Sequence, residues 1–154
     1  MIKKYSTSYK QDIIKLLRLN TPKYFAPEEE KELAAYLDHE IEDYFVVIDN
    51  SKIIGAGGIN YFPDEKTARI SWDIIHPQYQ GQKIGQKLTR YRIDYIQNNS
   101  DTEVILVRTS QLAYKFYEKI GFELEKIEKD YWAKGFDLYQ MIIKINNQEH
   151  FIYD

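Results

Sequence analysis

The sequence predicts an α/β or α+β fold, a layered domain whose mixed sheet of about seven strands is flanked by about four helices. Three observations carry this. Short runs rich in β-branched and aromatic residues recur along the chain, bounded by polar turns. Amphipathic stretches at helical spacing separate some of them and not others. The resulting order, β-α-α-β-β-β-α-β-α-β-β, needs both hairpins and crossovers, hence a mixed sheet covered by helices.

Residues 1–5 read as a first strand, and Thr7 or Ser8 as the cap of a helix to about Asn20 with Ile13, Leu16 and Leu17 inward. Pro27 at a first helical turn, followed by three glutamates, opens a second helix to about Asp38. A buried strand spans 44–48, and Asp49-Asn50-Ser51 turns into the next, 52–61. Gly55, Gly57 and Gly58 inside that strand suggest a bulge or close backbone packing. The fourth strand, 67–75, alternates Ala68, Ile70, Trp72 and Ile74 with Arg69, Ser71, Asp73 and Ile75. A helix from about Gln82 to Asn98 carries Ile84, Leu88, Tyr91 and Tyr95 on one stripe. Then come a strand at 103–109, a helix at 112–120 stopped by Gly121, and two strands at 123–131 and 137–144 flanking the loop Trp132-Ala133-Lys134-Gly135. The helix at 112–120 presents Ala113, Phe116, Tyr117 and Ile120 on one face. Residues 1–145 are read as the domain and 146–154 as a C-terminal tail.

The 154 residues, 44% of them hydrophobic, suit one soluble globular domain. No apolar run reaches the roughly 20 residues that span a bilayer, and the N-terminus lacks a signal-peptide core, so a cytoplasmic, membrane-free protein is expected. Without cysteine there is no disulfide, thiolate metal site or cysteine nucleophile. The net charge of −3 and the lack of a basic tract argue against nucleic acid. The acidic runs at 28–32 and 38–43 read as solvated helix faces, an acidic rim for a cationic substrate being the alternative. His39, His76 and His150 are too dispersed to suggest a metal site.

The most informative stretch is His76-Pro77-Gln78-Tyr79-Gln80-Gly81-Gln82-Lys83-Ile84-Gly85-Gln86-Lys87-Leu88. An apolar strand, a tight loop with glycine and a helix start form an anion-binding corner, because first-turn N–H groups lack intrahelical acceptors and carry partial positive charge. A Walker loop requires Gly-Lys followed by Ser or Thr, and Gly85 is followed by Gln86. A dinucleotide fingerprint requires three spaced glycines after an early strand, and here two lie mid-chain. Both readings fail.

Pro77 and Gln80-Gly81-Gln82-Lys83-Ile84-Gly85 instead resemble motif A of the GNAT superfamily, the acetyl-CoA-dependent N-acetyltransferases. Lys83 stands where the family keeps a middle glycine. The departure is tolerable if residue 83 has helical φ, because only a positive φ would cost about 1–2 kcal/mol. Downstream, Ala113-Tyr114-Lys115-Phe116-Tyr117-Glu118-Lys119-Ile120-Gly121-Phe122 resembles motif B, with Ser110 where the family carries asparagine. The element order is similar over nearly the whole chain.

The resemblance implies a mostly antiparallel sheet with a central splay that takes acetyl-CoA as cosubstrate, and no metal. Ile74, Ile75 and His76 would pair with the pantetheine arm. Gln80, Gly81, Gln82, Lys83, Ile84, Gly85 and Gln86 would hold the pyrophosphate, with a further contact at Ser110. Tyr117 matches the family's acid, which protonates the departing thiolate. Asp73 is the candidate base or ammonium anchor and Glu103 a second one; Arg69 and Ser71 occupy positions where some relatives carry Glu or His. Tyr24, Phe25, Trp72 and Trp132 are candidates to border the acceptor, by stacking or by covering a cation. The expected reaction is acetyl transfer to the primary amine of a small-molecule or amino-acid-like acceptor, by direct attack on the thioester. A protein or peptide acceptor and a non-catalytic CoA-binding module are the alternatives. The C-terminal strands offer sheet edges for a homodimer, and the aromatic tail (His150, Phe151, Ile152, Tyr153) is a candidate for such an interface.

Overall fold

The structure, a computed structural model, describes residues 1–81 and 83–145. Seven strands and four α-helices form: β1 Ile2–Lys4, α1 Lys10–Leu19, α2 Glu29–His39, β2 Asp43–Asp49, β3 Lys52–Phe62, β4 Thr67–Ile75, α3 Ile84–Asn99, β5 Val104–Thr109, α4 Tyr114–Ile120, β6 Glu123–Ala133 and β7 Phe136–Lys144. The sheet order is β1-β2-β3-β4-β5-β7-β6. Pairs β1/β2, β2/β3, β5/β7 and β6/β7 are antiparallel, and β4/β5 is parallel. The parallel pair needs a crossover, which α3 provides. The tail 146–154, with its aromatic residues, lies outside the described residues.

Two compact units can be separated, Met1–Ile59 with Ser71–Leu88, and Asn60–Ile70 with the chain from Thr89 onward. The core of the first gathers Ile13, Leu16, Leu17, Leu33, Tyr36 and Leu37 from α1 and α2 onto Tyr44, Val46, Ala56 and Ile74 of the strands. Full burial of each such aliphatic side chain contributes about 1.5–3 kcal/mol. Ser6, rather than Thr7 or Ser8, caps the short 3-10 turn that leads into α1, its Oγ accepting from the Ser8 N–H. Pro27 precedes α2 instead of starting it, because the Glu29 N–H bonds the Ala26 carbonyl and closes a turn ahead of the helix.

Asn50 and Ser51 both have positive φ (50° and 64°), the geometry that a two-residue hairpin between β2 and β3 demands. The glycines of β3 mark close packing. A Cβ on Gly58 would come within 2.4 Å of Tyr44 Cδ2, and one on Gly55 within 3.1 Å of Ile75 Cδ1. In β4 the expected alternation fails at Trp72, whose φ of 51° puts buried Ser71 directly after buried Ile70. The Tyr44 hydroxyl donates to the Trp72 carbonyl at 3.0 Å, and the indole lies near-parallel to Phe25 at 6.3 Å. Such backbone strain costs about 1–3 kcal/mol and persists only where surrounding contacts over-determine it.

In the second unit the β4/β5 ladder runs from Thr67↔Val104 to Ile70↔Val107, and both strands continue beyond it. Ala68, Ile70, Ile96, Ile105, Val107, Phe122, Leu138 and Met141 form its buried set. The stripe expected on α3 is rotated: Tyr91 is 39% exposed, while Thr89, Arg92 and Ile96 are fully buried. Tyr91 and Tyr95 instead stack on each other at 6.5 Å. The α4 face is likewise narrower than expected, with Tyr117 buried and Phe116 36% exposed. The last hairpin turns on Lys134 and Gly135 alone, so Trp132 lies in β6 and not in a loop.

Candidate active site

The corner after β4 is built from backbone. His76 donates its N–H to the Ile54 carbonyl at 2.8 Å, which fastens the end of β4 to β3. Its Nδ1 accepts the Gln78 N–H at 3.1 Å, starting the short turn Pro77–Tyr79. Burial, then the nearby Lys52 charge, lowers the His76 pKa, so the ring is neutral at pH 7. With Nδ1 accepting, the proton is assigned to Nε2. Gln80 follows in extended conformation, and its Oε1 accepts from the Tyr24 hydroxyl at 3.3 Å.

Gly81 has φ of 85° and Lys83 has φ of 63°. Helical φ at residue 83 is therefore not what forms: α3 begins one residue later, at Ile84, and Lys83 takes the left-handed conformation that glycine adopts without strain. The first helical bond from this end joins the Lys87 N–H to the Lys83 carbonyl at 3.0 Å. The amides of Ile84, Gly85 and Gln86 belong to the first turn, which helix geometry leaves without intrahelical acceptors. Gln82 lies outside the described residues. A Cβ added to Gly81 would meet nothing within 4 Å, so the loop stands open where an anion would approach. Left-handed backbone beside a helix N-terminus fits a pyrophosphate.

On the same unit, Phe25 and Trp72 stack, and Tyr36 lies tilted 6.3 Å from the indole. Asp73, next in β4, has its Oδ1 withdrawn from solvent. Glu29 departs from the expected solvated face: it is 5% exposed, and its Oε2 accepts the Ala26 N–H at 2.7 Å. Burial pushes its pKa up to about 7 against the Ala26 hydrogen bond, with a smaller upward push from Glu32 and Glu28. Nothing in the spacing of four acidic residues singled it out.

The second unit carries Tyr117, 5% exposed, with its ring edge-on to Phe116 at 5.0 Å and to Phe122 at 5.8 Å. Its carbonyl accepts the Gly121 and Phe122 N–H groups, and Gly121 at φ 125° ends α4 as expected. Ser110 closes the turn from β5 to α4, its Oγ accepting from Leu112 N–H and its carbonyl from Ala113 and Tyr114. The Trp132 indole donates to the Thr109 carbonyl at 3.1 Å, and the Arg108 guanidinium lies over the Tyr131 and Trp132 rings. Gln111 was not anticipated. Its Nε2 donates to the Gly135 carbonyl at 2.6 Å and its Oε1 accepts the Asp137 N–H at 2.9 Å, which clamps the β6/β7 turn. Glu103 is exposed just before β5, 3.8 Å from the Lys66 ammonium and at the opposite end of that strand from Thr109.

The profile of the acetyltransferase (GNAT) family matches residues 11–122, and the chain belongs to that family. Its members are acyl-CoA-dependent acyltransferases. The chain is 28% identical over 148 residues to N-alpha-acetyltransferase 30 of Schizosaccharomyces pombe, covering 92% of this chain and 96% of that protein. Its fold matches an aminoglycoside 6'-N-acetyltransferase complexed with coenzyme A (TM-score 0.76, 15% identity, 95% and 97% of the two chains). It also matches a ribosomal-protein-alanine N-acetyltransferase from Brucella melitensis (TM-score 0.73, 12% identity, 94% and 99%). No described helix is long and apolar enough to cross a membrane, and among the described residues no cluster of metal-ligating side chains occurs.

Proposed function

We propose that the chain transfers an acetyl group from acetyl-CoA to the primary amine of a small-molecule or amino-acid-like acceptor, by direct attack on the thioester. The observation that carries this reading is the corner after β4, where left-handed Gly81 and Lys83 turn the backbone into the first amides of α3. Gln80, Gly81, Lys83, Ile84, Gly85 and Gln86 hold the pyrophosphate, Ile74, Ile75 and His76 flank the pantetheine arm, and Ser110 adds a contact. Coenzyme A, when bound, supplies the activated acyl group. Tyr117 gives its proton to the departing sulfur; between unperturbed groups this is uphill by about 1.5 pH units, or about 2 kcal/mol.

The acceptor amine must lose a proton first, which costs about 4 kcal/mol at pH 7 for an alkyl amine of pKa near 10. Asp73 draws the ammonium group in and takes that proton through water. Tyr24, Phe25, Trp72 and Trp132 border the acceptor. A second reading, the α-amine of a protein N-terminus, is favoured by the likeness to an N-alpha-acetyltransferase along nearly its whole length.

Thiol release from acetyl-CoA with a panel of amines, amino acids and N-terminal peptides tests both. Turnover with small amines supports the first, and turnover with peptides alone supports the second. Tyr117→Phe should lower kcat by about 10²-fold or more while leaving the CoA Kd unchanged. Undiminished turnover would remove the acid role.

A further inference from the structure

Asn20 ends α1 and is 3% exposed, and its backbone N–H, its carbonyl and its side-chain nitrogen are all engaged. Its N–H donates to the Leu17 carbonyl at 2.9 Å, and its own carbonyl accepts the N–H groups of Tyr24 (2.9 Å) and Phe25 (3.3 Å). The side-chain Nδ2 donates to the Leu16 carbonyl at 2.9 Å and to the Ile75 carbonyl at 3.1 Å. Both partners of Nδ2 are carbonyls, so only the amide nitrogen can face them, which fixes the orientation of the carboxamide. The bond to Leu16 is helix capping, since the last turn leaves its carbonyls unsatisfied. The bond to Ile75 is not capping. It crosses 55 residues of sequence to the last residue of β4.

A second bridge leaves the same loop. The Tyr24 hydroxyl donates to Gln80 Oε1 at 3.3 Å, so the loop is pinned at both ends of the segment 75–80. Between the two bridges the loop is held in shape by the Asn20 carbonyl, and Phe25 stacks on Trp72. A displacement of the Ile75 carbonyl on one side therefore moves the anchor of Tyr24 and Phe25 on the other.

We infer that Asn20 is a positioning residue that couples the acceptor-facing loop, residues 20–28, to the cofactor strand, so that coenzyme A binding orders the acceptor side before the amine arrives. The inference rests on the assignment of Ile75 and Gln80 to the cofactor and of Tyr24 and Phe25 to the acceptor. Coupling between two sites requires a physical element that both bias, and the carboxamide is that element.

Hydrogen exchange of the Tyr24 and Phe25 amides, with and without saturating coenzyme A, tests it without knowledge of the acceptor. In the native protein coenzyme A should slow both amides by about tenfold, a typical coupling between sites. Asn20→Ala should bind coenzyme A within about threefold of native affinity and lose the slowing, because the ligand's effect, not the basal protection, is what the bridge transmits. Equal slowing in native protein and variant overturns the proposal, as does native protein whose amides ignore bound coenzyme A. Native protein that fails to bind coenzyme A overturns the cofactor assignment itself. If Asn20→Ala does not fold, Tyr24→Phe removes only the hydroxyl bridge and should weaken the slowing; slowing equal to native then counts against the coupling.

Discussion

Glu29→Gln isolates the electrostatics of one buried carboxylate. Glu29 is 5% exposed, and its pKa is pushed up to about 7 from an ordinary 4.5, chiefly by burial. The native state therefore holds this proton more tightly than the unfolded chain does. Between those two values the folded form binds more protons, so stability falls as pH rises from about 4.5 and levels off above about 7. The gap, at about 1.4 kcal/mol per pH unit, corresponds to about 3 kcal/mol lost once Glu29 is ionised. Glutamine never ionises, and its Oε1 still accepts the Ala26 N–H, so it removes the pH-dependent term while keeping the 2.7 Å contact. Urea unfolding of native and variant protein at pH 5 and pH 8 reads the difference. The variant's relative stability should rise by about 2–3 kcal/mol between those pH values. A native-to-variant gap that is the same at both would refute burial as the cause.

Three further outcomes follow from the geometry. Lys83→Gly relieves a left-handed residue, gaining about 1–2 kcal/mol and giving back about 0.5–1 in unfolded-chain entropy, so thermal unfolding should show a net gain of up to about 1 kcal/mol. If calorimetric CoA affinity survives that change, the backbone at 83 and not the ammonium binds the anion. Gly58→Ala drives a methyl to 2.4 Å from Tyr44 and 3.0 Å from the Asp43 carbonyl, and denaturant unfolding should show a loss of about 2–3 kcal/mol. Gln111→Ala leaves the Gly135 carbonyl and the Asp137 N–H without that clamp, and faster hydrogen exchange at Asp137 than in native protein is expected.

Element order was legible because it follows from local pattern. The runs that became β2 and β3 are continuous and apolar, the α1 core positions recur at helical spacing, and Gly121 stands where a left-handed stop is needed. The strand-to-helix turn at Gly81 was legible for the same reason: strand, glycine and helix start are neighbours in sequence. What failed was orientation about an axis. Tyr91 satisfied the stripe arithmetic for α3 and still faces outward, because buried Arg92 and Thr89 take the inner position, and polarity alone would have placed them outside. Glu29 failed likewise. Among four acidic neighbours, the one that turns in is selected by the Ala26 N–H three residues earlier, a partner that no periodicity reveals.

Trp72 and Lys83, two non-glycine residues with left-handed φ, divide along the same line. Trp72 gave no warning, since its φ of 51° is imposed by Tyr44, 28 residues away, through the bond to its carbonyl, and by Phe25 through stacking. Lys83 stands where the resemblance puts a glycine, a residue free to take positive φ, and the helical φ at which lysine would be unstrained is not the one that forms. Lysine there carries a steric cost of about 1–2 kcal/mol that a helical residue would not. The conformation is held from the helix side, where the Lys83 carbonyl accepts the Lys87 N–H and so is the first acceptor of α3. The turn that leads into the first amides of α3, those of Ile84, Gly85 and Gln86, is therefore the turn that lysine must bend to make.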